Sequence, residues 1–193
     1  MTRLLPYEEL CGPRQLDYQD IASLYWIKTD TGAWDGPLKD WQTSHKSKYE
    51  QYCKKFDVVI CAGGNQGMYP RLFSDMFKTV YTFEPDPLSF FCLVNNCQVD
   101  NIVKIQCALG GSRQMIAVQR DPTMTNVGTH SVSQGGYIPQ LMIDDFEFHT
   151  VDLIQLDVEG YEYEVLKGAI RTITMFKPLI SVERTNPSIE SIL

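Results

Sequence analysis

The stretch Phe56-Asp57-Val58-Val59-Ile60-Cys61-Ala62-Gly63-Gly64-Asn65-Gln66-Gly67 carries an apolar, β-branched run into a glycine-rich turn, and a helical pattern follows over residues 68–76. The unbroken run Val58-Val59-Ile60 fits a strand covered on both faces, which has no reason to alternate with polar residues. Glycines in the turn tolerate positive φ and leave room for a ligand against the backbone. The free N–H groups opening the next helix favour a polar or anionic group. A strand, glycine loop and helix in this order open a doubly wound, nucleotide-binding α/β sheet. The alternative is a plain strand–turn–helix with no ligand.

The next stretch supports the sheet. Residues 79–83 read as a second buried strand ending in Glu84-Pro85-Asp86-Pro87, and Glu84 falls 21 residues after Gly63. An acid at that place accepts hydrogen bonds from two ribose hydroxyls; a helix cap or surface glutamate is the plainer reading. Residues 88–97 form a helical pattern behind Pro87, and 102–107 a third strand ending in Ala108-Leu109-Gly110-Gly111. Ligands in such sheets lie outside the carboxyl ends of the strands, so this turn is expected beside a bound base. Residues 114–120 and 137–143 read as further strands. Between them, 121–136 is polar and glycine-containing, holds His130, and has the length of a lid or binding loop.

A fourth strand over 151–156 ends in Asp157-Val158-Glu159, with a helix expected over 161–169. Alternate residues of an extended tip point the same way, so the two carboxylates are expected to converge. Converging acids serve as a base, a metal site or an amine contact. The alternative is one capping and one solvated acid. A fifth strand, 177–183, also ends in an acid, Glu183.

Bulk properties narrow the classes. A chain of 193 residues accommodates one domain, read here as 56–193, with an appendage over 1–55. The net charge of −7 and pI of about 4.9 disfavour a broad grip on nucleic-acid phosphates. No apolar stretch is long enough for a membrane span and no signal-peptide core opens the chain, so a cytoplasmic protein is expected. The six cysteines form no C-x-x-C pair and read as reduced, buried thiols without zinc or disulfides. The appendage is broken by Gly12, Pro13, Gly32, Gly36 and Pro37, and reads as irregular or helical, with residues 17–26 a short helix or strand and 40–54 a polar helix. It holds all three tryptophans, Trp26, Trp34 and Trp41, read as anchors onto the sheet domain or as lining of a pocket. Lys46, Lys48, Lys54 and Lys55 read as a solvated face.

Four separated motifs then resemble the FkbM-type methyltransferases. They are Gly63-Gly64-Asn65-Gln66-Gly67; Phe83-Glu84-Pro85-Asp86 followed by Leu93 and Asn95-Asn96; Ala108-Leu109-Gly110; and Asp157-Val158-Glu159-Gly160-Tyr161-Glu162 running into Val165-Leu166-Lys167-Gly168-Ala169. The Gly-Gly-Asn form and the leader also resemble phage-encoded members. The resemblance implies a Rossmann-like α/β domain binding S-adenosylmethionine. Gly63, Asn65 and Gly67 would contact its methionine part, Glu84 its ribose, Ala108 and Leu109 its adenine, and Asp157 would sit beside the sulfonium. It implies methyl transfer to a hydroxyl of a small-molecule or glycan acceptor, with Asp157, Glu159 or His130 as base and no metal assigned. Three departures stand out: Cys61 where the family usually has an acid, Gln155 where lysine is frequent, and no sequence for the last two strands of the usual sheet. Either the sequence is a fragment, or the open edge would be covered by the appendage or by a second subunit in a homo-oligomer. A catalytically weak binding or assembly module is the alternative function. A dinucleotide-dependent oxidoreductase ranks last, because the loop does not read G-x-G-x-x-G.

Overall fold

The computed structural model describes residues 7–18, 21–30, 38–119, 126, 131–183, 185 and 187–192. Trp34 and His130 lie outside the described residues.

Five strands build the central sheet: β3 (Val58–Ala62), β4 (Thr79–Phe83), β5 (Ile102–Ile105), β10 (Leu153–Leu156) and β11 (Leu179–Val182). All pairs are parallel and the order is β11-β10-β3-β4-β5. The apolar run of β3 explains itself here. Val59 and Cys61 enter one core with Phe73 and Leu93, whereas Ile60 and Ala62 enter the opposite core with Leu156 and Leu166. Both faces are covered, so period-2 polarity has no place.

Helices α2 (Leu38–Tyr52), α3 (Met68–Ser74) and α4 (Pro87–Asn96) cover the first face, and α5 (Glu162–Lys167), α6 (Ile170–Phe176) and α7 (Pro187–Glu190) the second. Phe73 is completely buried; its truncation to alanine would cost about 3–5 kcal/mol. Helix α4 starts where its chemistry requires. The Asp86 side chain accepts from the Leu88 and Ser89 N–H groups at 2.7 and 3.2 Å, and Pro87 needs no partner at the first helical position.

Three expectations are corrected. Residues 108–109 are not part of a turn closing the third strand: they form β6 (Ala108–Leu109) of a separate sheet with β7 (Gln114–Gln119), β8 (Ser131–Gln134) and β9 (Ile138–Leu141), in the order β6-β9-β7-β8. The polar stretch 121–136 is not one loop, because Ser131–Gln134 pairs antiparallel with β7. The appendage is not merely irregular or helical. After α1 (Tyr7–Leu10), strands β1 (Cys11–Tyr18) and β2 (Ile21–Ile27) form an antiparallel hairpin. Pro13 masks that strand in the sequence. It stands opposite Tyr25, whose N–H and carbonyl both bond outward to Asn96, so the pair is non-hydrogen-bonded and the missing proline N–H costs nothing.

The hairpin docks through side chains that alternate along β2. Leu24 and Trp26 pack with Leu38 and Met68, and Ile27 packs with Cys11 and Cys92. Trp41 sits edge-on to Tyr69 with ring centroids 5.0 Å apart. Two of the tryptophans are thus anchors, as expected. Lys46, Lys48, Lys54 and Lys55 are exposed, and all six cysteines are buried and unbridged. Among the described residues no strand pairs with the outer edge of β11. Helix α2 lies beside it, with the Tyr49 hydroxyl 3.2 Å from the Ser181 hydroxyl. No helix of the described residues is long and apolar enough to cross a membrane.

Candidate active site

A cavity of about 330 Å³ opens at the carboxyl ends of β3, β4 and β10. It sits where the chain reverses from building the sheet toward β4 to building it toward β10, the usual ligand position in such sheets. Gly63, Asn65, Glu84, Ala108, Leu109, Asp157 and Glu159 all line it. Gly67 does not; it precedes α3 with φ 100°.

The glycine loop is tied down by its neighbours. The Gly63 and Gly64 N–H groups both donate to the Phe83 carbonyl, at 3.0 and 2.9 Å. Gly63 has φ 82°, and a Cβ there would stand 1.9 Å from the Asp157 carbonyl oxygen. Only a glycine lets the ends of β3 and β10 approach so closely. Asn65 holds φ 45°, and its side-chain Oδ1 is buried with no hydrogen-bond partner among the described residues.

Glu84 is held at both oxygens. Oε2 accepts from the Asn65 N–H at 2.7 Å and Oε1 from the Asp86 N–H at 2.8 Å. Its burial pushes the carboxyl up to about 8, against the lowering effect of those two N–H bonds. Asp157 continues the parallel ladder through its N–H to the Ala62 carbonyl at 3.0 Å. Burial pushes its carboxyl up to about 6, with the charges of Glu183 and Glu162 adding to the rise.

Asp157 and Glu159 do converge, and Glu183 joins them: one carboxylate oxygen from each lies within 4.8 Å of the others. The route differs from the expected one. The tip is not extended but turns, with Glu159 at φ 51° and Gly160 at φ 89°. Three such oxygens can hold a hard cation or an ammonium, although exposed acids group this way without an ion as well. Sequence reasoning missed Asp86, Asn126, Val118, Val132 and Tyr161 as lining residues. Val118 and Val132 face each other across β7 and β8; the apolar run around Val118 signalled its strand, and nothing in the sequence signalled its pairing with Val132. The described lining holds five acids, Glu84, Asp86, Asp157, Glu159 and Glu183, and no basic residue; with Glu84 mostly protonated at neutral pH, the field of the other acids favours ligands with cationic groups.

A parallel sheet wound on both faces, with its cavity at the switch point and an acid at the second strand's tip, defines a Rossmann-like α/β protein. Residues 62–192 match the family model of the methyltransferase FkbM domain, and the chain belongs to that family. Its relatives include the hexuronic acid methyltransferase AglP of Haloferax volcanii, 30% identical over 120 residues, covering 58% of this chain and 49% of that protein. Methyltransferase 1 of Beauveria bassiana is 28% identical over 142 residues, covering 57% of each. The chain therefore spans about half the length of these relatives. The crystal structure of the FkbM methyltransferase of Methylobacillus flagellatus shares the fold, with a TM-score of 0.51 at 20% identity, over 71% of this chain and 35% of that one.

Proposed function

We propose that this protein is an S-adenosylmethionine-dependent methyltransferase acting on a hydroxyl oxygen of a small-molecule or glycan acceptor. The observation that carries this reading is Glu84, a buried carboxylate fixed at both oxygens by backbone N–H groups at the rim of the cavity. Each oxygen keeps acceptor capacity toward a ligand's hydroxyls. The residues present fit the cofactor. The orphan Asn65 Oδ1 suits the donor of a methionyl ammonium, the open backbone at Gly63 suits close approach, and Ala108 and Leu109 offer an apolar border for adenine.

S-adenosylmethionine, when bound, supplies a methyl group on a positively charged sulfonium. The protein's part is alignment and proton removal. Asp157 is the base: its raised carboxyl is still ionised at neutral pH, yet basic enough to take the acceptor's proton. Glu159 and Glu183 keep that side of the cavity negative. The name of the Haloferax relative places its acceptor among hexuronic acids, which supports a glycan here. With no basic residue among the described lining, a neutral hydroxylated face of such an acceptor is favoured over its carboxylate.

Calorimetric binding of S-adenosylmethionine and S-adenosylhomocysteine to the wild type and to Glu84→Ala tests the cofactor site. Micromolar binding weakened at least about tenfold in the variant is expected; no binding by the folded wild type overturns the reading. Transfer of an isotope-labelled methyl group to hydroxylated glycans tests the enzyme. Binding without transfer to any acceptor would leave the alternative of a binding or assembly module.

A further inference from the structure

Gln66 follows Asn65 in the glycine loop, but its side chain turns away from the cavity into the N-terminal hairpin. It is 1% exposed. Its Oε1 accepts from the Ile27 N–H at 2.9 Å, and its Nε2 donates to Asp30 Oδ2 at 2.7 Å. Its backbone carbonyl accepts from Asn96 Nδ2 at 2.6 Å. Asn96, the last residue of α4, treats β2 as a neighbouring strand would: its Oδ1 takes the Tyr25 N–H at 2.6 Å and its Nδ2 donates to the Tyr25 carbonyl at 2.8 Å. Gln66, Asn96 and Asp30 are all buried. Breaking any of these bonds strands a polar group away from water.

The loop they hold is conformationally unusual. Gly63, Asn65 and Gly67 have φ of 82°, 45° and 100°. A non-glycine residue in the left-handed region persists where its surroundings over-determine it. Glu84 and Phe83 fix the loop from the sheet side; Gln66 fixes it from the hairpin side. The hairpin precedes residue 62, where the match to the family model begins, so one half of this clamp lies outside the part of the chain that the family model describes.

We infer that the N-terminal hairpin is part of the cofactor-binding apparatus, with Gln66 and Asp30 as positioning residues that hold the 63–67 loop in its binding conformation. The inference rests on reading the cavity as the cofactor site. Loosening the hairpin contact lets the loop relax, and the cofactor must then restore it at a cost in affinity.

The test is the dissociation constant of S-adenosylhomocysteine, measured by calorimetry beside the thermal midpoint of each variant. Gln66→Glu keeps the bond from Ile27 but sets two carboxylates against each other, and affinity should fall about tenfold or more. Gln66→Glu with Asp30→Asn reverses donor and acceptor, and should return affinity to within about threefold of the wild type. A Gln66→Glu protein with a lower midpoint but unchanged affinity overturns the inference, because the hairpin is then structural only. A double variant without recovery overturns it as well. If Gln66→Glu does not fold, Asp30→Ala removes the acceptor without adding charge, and unchanged affinity there is equally decisive against the clamp. If the wild type binds neither cofactor form, the functional reading falls and takes this inference with it. Binding by the wild type that the variants share in full removes the clamp alone.

Discussion

The Cys61 thiol donates to the Gln155 amide oxygen at 3.0 Å, with both side chains buried between β3 and β10. The two residues are register partners in the sheet. They are also two positions at which the chain departs from the pattern it resembles, an acid and a lysine. The register brings the two departures together as one neutral hydrogen-bonded pair. Burial holds the Cys61 thiol well above its usual range, so it stays protonated and able to donate. Cys61 is not among the cavity's lining residues, and its identity leaves the candidate cofactor contacts in place. Cys61→Asp should cost about 3–5 kcal/mol by burying an unpaired carboxylate. Adding Gln155→Lys should recover most of that loss, as read by urea unfolding of the single and double variants. No coupling between the two would mean the pair does not act as a unit.

If Glu84 holds the cofactor's ribose as proposed, it should set a pH dependence on binding. Its carboxyl is raised from 4.5 to about 8 in the free protein, and ribose hydroxyls would donate to the charged form. Binding then favours deprotonation, so affinity should rise with pH up to about 8 and level off above it. The same shift acts on stability in the opposite sense. The contribution of a carboxyl with a raised folded pKa is fully present below 4.5 and lost as pH rises through about 8, so the free protein should melt at a lower temperature near pH 9 than near pH 5. Calorimetry across this range, with Glu84→Gln as the variant that flattens the binding profile, checks both statements.

Two glycines with similar φ should behave differently. At Gly63, a Cβ would strike the Asp157 carbonyl at 1.9 Å, so Gly63→Ala should cost about 3 kcal/mol or more and abolish cofactor binding. At Gly160, φ is 89° but nothing among the described residues lies within 4 Å of the added atom. Gly160→Ala should cost only about 1–2 kcal/mol and leave cofactor affinity unchanged. Urea midpoints of the two variants decide whether the close approach of β3 and β10 is the cause.

Asp157 should act on rate more than on affinity. Its carboxyl sits at about 6, so methyl transfer should rise with pH through that value as the base becomes ionised. Asp157→Asn should lower the transfer rate about 100-fold or more and remove that limb of the pH profile. A limb near pH 6 that survives the substitution would assign the base elsewhere.

Much of the central fold was legible in the residues themselves. The strands β3, β4, β10 and β11, the glycine loop and the acids at the strand tips are written in local patterns, because burial on both faces demands unbroken apolar runs and tight turns demand particular residues. The β1–β2 hairpin was not legible: Gly12 and Pro13 hide its strand character, and the side chains that justify it, Leu24 and Trp26, find their partners on α2 and α3. Strands β7 and β9 were read from the sequence, but β6 and β8 were not, since they are short and gain their order from their partners in the sheet β6-β9-β7-β8. Gln66 meets Asp30 across 36 residues, and Cys61 meets Gln155 across 94. Local sequence determined which elements form and where the ligand-facing loops fall. Only the tertiary structure decided which side chains meet, because pairing across the chain depends on packing and register and leaves no periodic mark in the sequence.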